Sequence, residues 1–162
     1  MIRFSLHAGV SRGVAGRLRS PAVDARDLAA AAAACGFGVQ RVLIDPTADE
    51  FLAELRRGPA LITFSGHGRP GSWCFADRDL ALTEVIALLP LDEEVCVVSD
   101  ACHSRDAPWP PNVTLLAPAA PLALDGRGKN TRSPFTAAVI REWLAAPCAP
   151  ASGDTDVRRT RR

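Results

Sequence analysis

Five stretches of the chain are short, apolar and rich in β-branched residues, and most are separated by segments whose apolar positions recur at helical spacing. Ile2 to Val10 alternates apolar and polar residues and predicts a first strand. Val39-Gln40-Arg41-Val42-Leu43-Ile44 predicts a second, ended by Asp45-Pro46. The run Ala60-Leu61-Ile62-Thr63-Phe64-Ser65 predicts a third, Val95 to Ser99 a fourth and Val113 to Ala117 a fifth. Between them, Ser20-Pro21 reads as an N-cap followed by proline at N1, starting a helix that runs through Asp24, Asp27 and an alanine block to Cys35, where Gly36 stops it. Thr47-Ala48-Asp49-Glu50 reads as a capping box opening a helix to Arg57. Leu80 to Leu89 has helical spacing and stops at Pro90, and Ser133-Pro134 repeats the N-cap and N1 device before a last helix through Phe135, Val139, Ile140, Trp143 and Leu144.

Strands joined by helices come out parallel, so the order β-α-β-α-β-α-β-β-α predicts an α/β fold. It is a three-layer α/β/α sandwich around a mainly parallel sheet with the flavodoxin-like strand order 2-1-3-4-5. Ligands of such sheets bind beyond the carboxyl ends of the strands.

The connections refine this picture. Glycines 9, 13 and 16 mark a flexible loop without a G-x-G-x-x-G pattern, so no dinucleotide site is indicated. Trp73-Cys74-Phe75-Ala76 suggests a short hairpin. The prolines of Arg105 to Pro111 argue against regular structure there. Asp125 to Arg132 is a polar, Gly-broken loop following a strand, on the side where ligands bind, but it lacks the phosphate-binding G-x-x-x-x-G-K-[ST] pattern. Residues 1–147 are expected to form one domain, with 148–162 a disordered basic tail containing Arg158, Arg159, Arg161 and Arg162.

The 162 residues suit a single domain with a real core. Nineteen basic against eighteen acidic residues leave a formal charge of +1, which offers no global field for nucleic acid or a membrane surface. No run is long and apolar enough for a membrane span, and Met1 to Leu6 enters strand-like sequence without a signal-peptide core, so a cytoplasmic location is expected. Cys35, Cys74, Cys96, Cys102 and Cys148 form an odd set without C-x-x-C spacing, which argues against a disulfide framework or a structural zinc site. Four of them are expected to pack or sit exposed.

Two stretches carry the chemistry. The third strand breaks into Ser65-Gly66-His67-Gly68 and the fourth into Ser99-Asp100-Ala101-Cys102-His103-Ser104. Parallel strands that end together bring His67 and Cys102 into one crevice, where an imidazole can hold or take the proton of a nucleophilic thiol. His7 is expected to be structural along its strand, and His103 to serve a supporting role, since neighbouring residues near a strand end point different ways.

Ser65-Gly66-His67-Gly68 followed by Asp100-Ala101-Cys102-His103-Ser104 resembles the S-G-H-G and D-x-C-H-S signatures of metacaspases and bacterial caspase-like peptidases, with the likeness running from about Ile2 to about Leu144. The resemblance implies a caspase-like fold and a His67/Cys102 dyad, with an oxyanion hole formed by the amides of Gly68 and Cys102. It also implies carboxylates for a basic P1 residue, Asp100 and, on the early helix, Asp24; Val23 stands where the family has Asn.

The function expected on that basis is a cysteine endopeptidase cleaving proteins or peptides after Arg, less readily Lys, through an acyl-enzyme. No cofactor is implied; calcium activation occurs in some metacaspases but is not indicated here, since Asp92-Glu93-Glu94 reads as a solvated turn rather than a calcium loop of EF-hand type. Two alternatives remain open. One is a non-catalytic caspase-like adaptor or regulatory module that needs a partner chain, and the other a small-molecule- or nucleotide-binding flavodoxin-like domain.

Overall fold

The structure is a computed structural model and describes residues 3–119, 123–128 and 130–145. Five strands form its central sheet: β1 (Phe4–Gly9), β2 (Val39–Ile44), β3 (Leu61–Ser65), β4 (Val95–Asp100) and β5 (Val113–Leu116). Every pairing is parallel and the order is β2-β1-β3-β4-β5, the 2-1-3-4-5 arrangement read from the sequence. The register brings Gly9 opposite Ile44 and Ser65, and Ser65 opposite Asp100, so four strands end level. The residues after β3 and β4 therefore emerge side by side.

Helices α1 (Pro21–Ala34) and α4 (Pro134–Ala145) pack on one face of the sheet. There Leu28, Ala31, Ala32, Leu61, Val98, Val139 and Ile140 bury one another. The alanine block lets α1 lie close to the strands. At Gly9 a Cβ would fall 2.1 Å from the Pro21 carbonyl oxygen, so only glycine permits that approach. The opposite face carries α2 (Ala48–Leu55) and the short α3 (Leu82–Ile86), over a larger core built on Phe51, Phe64, Trp73 and Phe75. The Phe64 and Trp73 rings stack with centroids 4.5 Å apart, and Phe51 meets Trp73 edge-on.

Several elements form as their local chemistry predicts. The Thr47/Glu50 capping box is complete, and Gly36 has φ +88 just beyond α1. His7 is fully buried between the hydroxyls of Thr63 and Ser5, each 2.9 Å from a ring nitrogen, and burial lowers its pKa to about 4. It is a neutral structural residue.

Other expectations are corrected. The loop after β1 folds into a small antiparallel hairpin of Arg12–Gly13 and Gly16–Arg17, because Gly16 at φ +118 supplies the turn conformation. The stretch expected to be helical from Leu80 begins as a strand, Asp79–Ala81. It pairs with Ser72–Cys74, which pairs in turn with Gly68–Arg69, enlarging the expected hairpin to a three-stranded ribbon. Leu80 and Leu82 alternate with partly exposed Asp79 and Ala81, so a period of two wins over the helical spacing until α3 starts. The helix α2 ends at Leu55, two residues before Arg57. Within the proline-rich segment, Ser104–Asp106 make one 3-10 turn ahead of the first proline. Ser20 precedes α1 without capping it, since its hydroxyl donates to Asp125 Oδ1 at 2.7 Å. Cys35 is disulfide-bonded, against the expectation that cysteines outside the crevice merely pack, whereas Cys74, Cys96 and Cys102 are free thiols. The expected domain end at residue 147 and the basic tail 148–162 lie outside the described residues. Among those that are described, no helix is long and apolar enough to cross a membrane.

Candidate active site

His67 and Cys102 follow β3 and β4 directly, and the two connections are joined by their backbones. The amide of Gly66 donates to the Asp100 carbonyl at 3.2 Å. Two residues on, a Cβ on Gly68 would fall 2.1 Å from the Cys102 carbonyl oxygen and 3.1 Å from the Cys102 nitrogen. Any other residue would push the turns apart, so the glycine after the histidine sets the distance between the two connections. The His67 carbonyl accepts from the Cys74 amide at 2.9 Å, which anchors this turn to the ribbon.

The turn carrying Cys102 is pinned from beneath. Buried Trp73 donates Nε1–H to Ser99 Oγ at 2.9 Å, and Ser99 Oγ lies 2.6 Å from Ser104 Oγ. Ser104 then donates to the Ala101 carbonyl at 2.9 Å. Ser104 has one proton and gives it to Ala101, so Ser99 must donate to Ser104, and the chain of bonds has a single direction. Its end lies one residue before the thiol. His103 takes a left-handed conformation with φ 59 and turns its Nδ1 toward Asp106 at 2.9 Å. It does not line the cavity described next.

A cavity of about 200 Å³ opens at this edge of the sheet, and His67, Cys102, Asp100, Ser65, Asp125 and Ser133 are among its lining residues. Leu18, Pro21, Ala123 and Leu124 supply apolar wall. The Ala123 amide donates to Cys102 Sγ at 3.3 Å. A Cβ placed on Gly16 would come 3.8 Å from His67 Nε2, so the arginine-bearing hairpin lies beside the imidazole.

Carboxylates gather at one end. Asp100 is 4% exposed, and its Oδ2 accepts from the hydroxyls of Ser133 and Thr136, the latter at 2.9 Å. Burial raises its pKa above the ordinary carboxylate range despite those donors. Asp24 is fully buried behind the cavity wall. It accepts from Ser65 Oγ at 2.7 Å and the Ser133 amide at 3.0 Å, and burial is the main cause that raises its pKa to about 6. Asp125 lies nearer solvent. Burial raises its pKa, but the hydrogen bonds from Ser20, Arg19 and Gly126 outweigh that and lower it overall. The cavity thus has one lining carboxyl that is costly to ionise, Asp100, with Asp24 buried behind its wall, and a cation entering it would offset that cost for Asp100.

Of the five residues singled out in the sequence, His67, Cys102 and Asp100 line this cavity, and Gly68 packs against Cys102. Asp24 touches it only through Ser65 and Ser133. Sequence reasoning missed Ser65, Asp125, Ser133 and Thr136. Ser133 was legible as a helix cap, and its Oγ does accept the Thr136 amide at 3.1 Å. That the same hydroxyl also donates to Asp100 depends on where α4 docks. Among the described residues, no group of three or more His, Cys, Asp or Glu side chains could hold a metal ion.

Burial raises the pKa of the Cys74 thiol to about 12 and that of Cys96 to about 11. Both are held protonated at neutral pH and are poor nucleophiles.

No protein-family model and no curated protein matches the chain. Among solved structures, caspase-1 from Spodoptera frugiperda matches with a TM-score of 0.64 at 14% identity, over 90% of this chain and 70% of that one. The protein GSU0716 from Geobacter sulfurreducens matches with a TM-score of 0.55 at 26% identity, over 64% of this chain and 52% of its own. The chain thus aligns with only about half of the Geobacter protein. The fold is caspase-like, a mostly parallel α/β sheet between helical layers.

Proposed function

We propose that this chain is a cysteine endopeptidase that cleaves after arginine, and less readily after lysine, with Cys102 as nucleophile and His67 as its acid-base partner. The observation carrying this reading is that an imidazole, a thiol and the Asp100 carboxyl, drawn from two adjacent strand ends, line one cavity. A guanidinium is recognised by carboxylates in a confined site, and burial, which raises the pKa of Asp24 and Asp100, makes these carboxyls ones that a nearby cation would stabilise in the ionised form.

In the proposed reaction His67 takes the proton of the Cys102 thiol, and the thiolate attacks the carbonyl carbon of the scissile peptide. The new C–S bond produces an oxyanion, which the amides of Gly68 and Cys102 stabilise. Collapse breaks the C–N bond, and His67 gives its proton to the departing amine. Water then attacks the thioester while His67 takes its proton. The C–S bond breaks, releasing a carboxylate product and restoring the thiol. Asp100 interacts with the P1 side chain, and Asp24 holds Ser65 and Ser133 in position behind it.

The test is hydrolysis of a fluorogenic peptide series differing only at P1. The reading expects turnover with Arg, less with Lys and none with Asp or Ala, and loss of turnover in Cys102→Ala and in His67→Ala. Absence of hydrolysis across the series and a broad protein library, with and without calcium, would leave the caspase-like adaptor as the better reading.

A further inference from the structure

Beside the cavity lies a second and larger groove of about 750 Å³, which adjoins it at the shared residues Leu18 and Asp125. Three arginines line this groove, Arg12, Arg17 and Arg19, and all three are exposed. Arg12 and Arg17 are direct cross-strand partners in the two-rung hairpin. Like charges placed opposite one another on antiparallel strands destabilise the pairing, so this hairpin carries a repulsion that no ion pair relieves. Among the described residues none of the three guanidiniums forms a hydrogen bond or ion pair, whereas Arg41, Arg57, Arg69, Arg78 and Arg132 all meet carboxylates.

The groove's own acids, Asp45 and Asp125, form no ion pair with these arginines, so the lining carries three cations against two carboxylates. Asp45 Oδ1 is taken by the amides of Ser11 and Arg12, at 2.6 and 2.9 Å. Asp125 accepts the amides of Arg19, Ser20 and Gly126 and the hydroxyl of Ser20. Both carboxylates serve to shape the backbone, and three side-chain cations face solvent together. The hairpin that carries Arg12 and Arg17 lies next to the imidazole, where groove and cavity adjoin.

We infer that this groove is an extension of the substrate cleft that receives acidic side chains close to the scissile bond, so that the preferred substrate carries Asp or Glu within a few residues of its basic P1. The inference rests on the peptidase reading for the meaning of the cavity, and on the groove alone for the acidic preference. Carboxylates reaching Arg12 and Arg17 would also relieve the repulsion across the hairpin, so substrate and hairpin would order together.

The experiment separates the two ideas by measuring binding apart from hydrolysis. Full-length Cys102→Ala protein is titrated with labelled peptides containing one arginine flanked on either side by aspartates or, in the matched set, by asparagines, with fluorescence anisotropy as the readout. Roughly tenfold tighter binding of the aspartate peptides is expected at low salt, shrinking as salt is added, since exposed ion pairs are individually weak and screened. The added substitutions Arg12→Gln, Arg17→Gln and Arg19→Gln should abolish the difference with an unchanged circular dichroism spectrum and a melting temperature no lower than the parent's. A single Arg17→Glu reversal should shift the preference toward lysine-flanked peptides. Equal binding of the two sets, or a preference surviving the triple substitution, overturns the inference even if the wild-type protein hydrolyses both. An arginine-dependent preference in a protein that hydrolyses nothing would instead retain the groove and remove the peptidase reading.

Discussion

The backbone of Gly68 lies so close to that of Cys102 that a single added methyl group would sit 2.1 Å from the Cys102 carbonyl oxygen. The two connections that carry the candidate acid-base and nucleophilic groups are thus held at a fixed spacing by an atom that is missing. Gly68→Ala must move one turn or the other, and overpacking of this kind costs about 1–3 kcal/mol. The expected outcome is a lower melting temperature together with slower alkylation of Cys102. An unchanged alkylation rate would show that the turn spacing does not matter to the thiol.

The relay from Trp73 through Ser99 and Ser104 to the Ala101 carbonyl predicts a second effect. Ser104→Ala leaves both the Ser99 hydroxyl and the Ala101 carbonyl without that partner inside the protein. Leaving a buried polar group unsatisfied costs about 1–3 kcal/mol. Thermal or urea unfolding should register this loss, and Ser104→Cys, which keeps a weak donor, should recover part of it.

Ser133 joins three groups: its hydroxyl serves Asp100 and the Thr136 amide, and its own amide serves Asp24. Ser133→Ala should remove the cap, costing about 1 kcal/mol, and should weaken the discrimination between Arg and Ala at P1. Ser133→Thr should restore both. If the Ala variant melts lower but selects P1 as before, Ser133 is a helix cap and nothing more.

Two buried titratable groups pull the pH dependence of stability in opposite directions. Asp24 has its pKa raised from 3.8 to about 6, so between these values the folded protein holds more protons than the unfolded chain, and stability falls as pH rises. His7 has its pKa lowered from 6.5 to about 4, so the unfolded chain holds more protons there and stability rises with pH. Each of these two shifts is worth roughly 3 kcal/mol and they oppose each other over pH 4 to 6, with the raised pKa of Asp100 acting in the same direction as that of Asp24. Asp24→Asn should expose more of the histidine's contribution, so that unfolding free energy changes with pH between 4 and 6.5 along a slope more positive than the wild type's. A slope equal to that of the wild type would contradict the assignment of Asp24.

Much of this architecture was legible in the chain. Val39 to Ile44 and Leu61 to Ser65 read as strands because short β-branched runs bounded by turn residues leave little choice, and Thr47/Glu50 as a cap because the reciprocal bonds are local. The hairpin Arg12 to Arg17 and the strand Asp79 to Ala81 were not, since two- and three-residue pairings depend on an edge that sequence-distant segments supply. The same holds at the site. His67 and Cys102 follow from where parallel strands end, whereas Asp125 reaches Ser20 from 105 residues away, and Ser133 reaches Asp100 from 33. Such contacts follow from docking, and no local pattern encodes them.

The central claim is that His67 and Cys102 work as a pair, and the rate of modification of Cys102 by an arginine-derived electrophile measures this most directly. With labelling followed residue by residue in the intact protein by mass spectrometry, Cys102 should react far faster than Cys74 and Cys96. That advantage should fall by at least an order of magnitude in His67→Ala. Equal labelling of the three thiols, or a Cys102 rate indifferent to the loss of His67, would contradict the pairing.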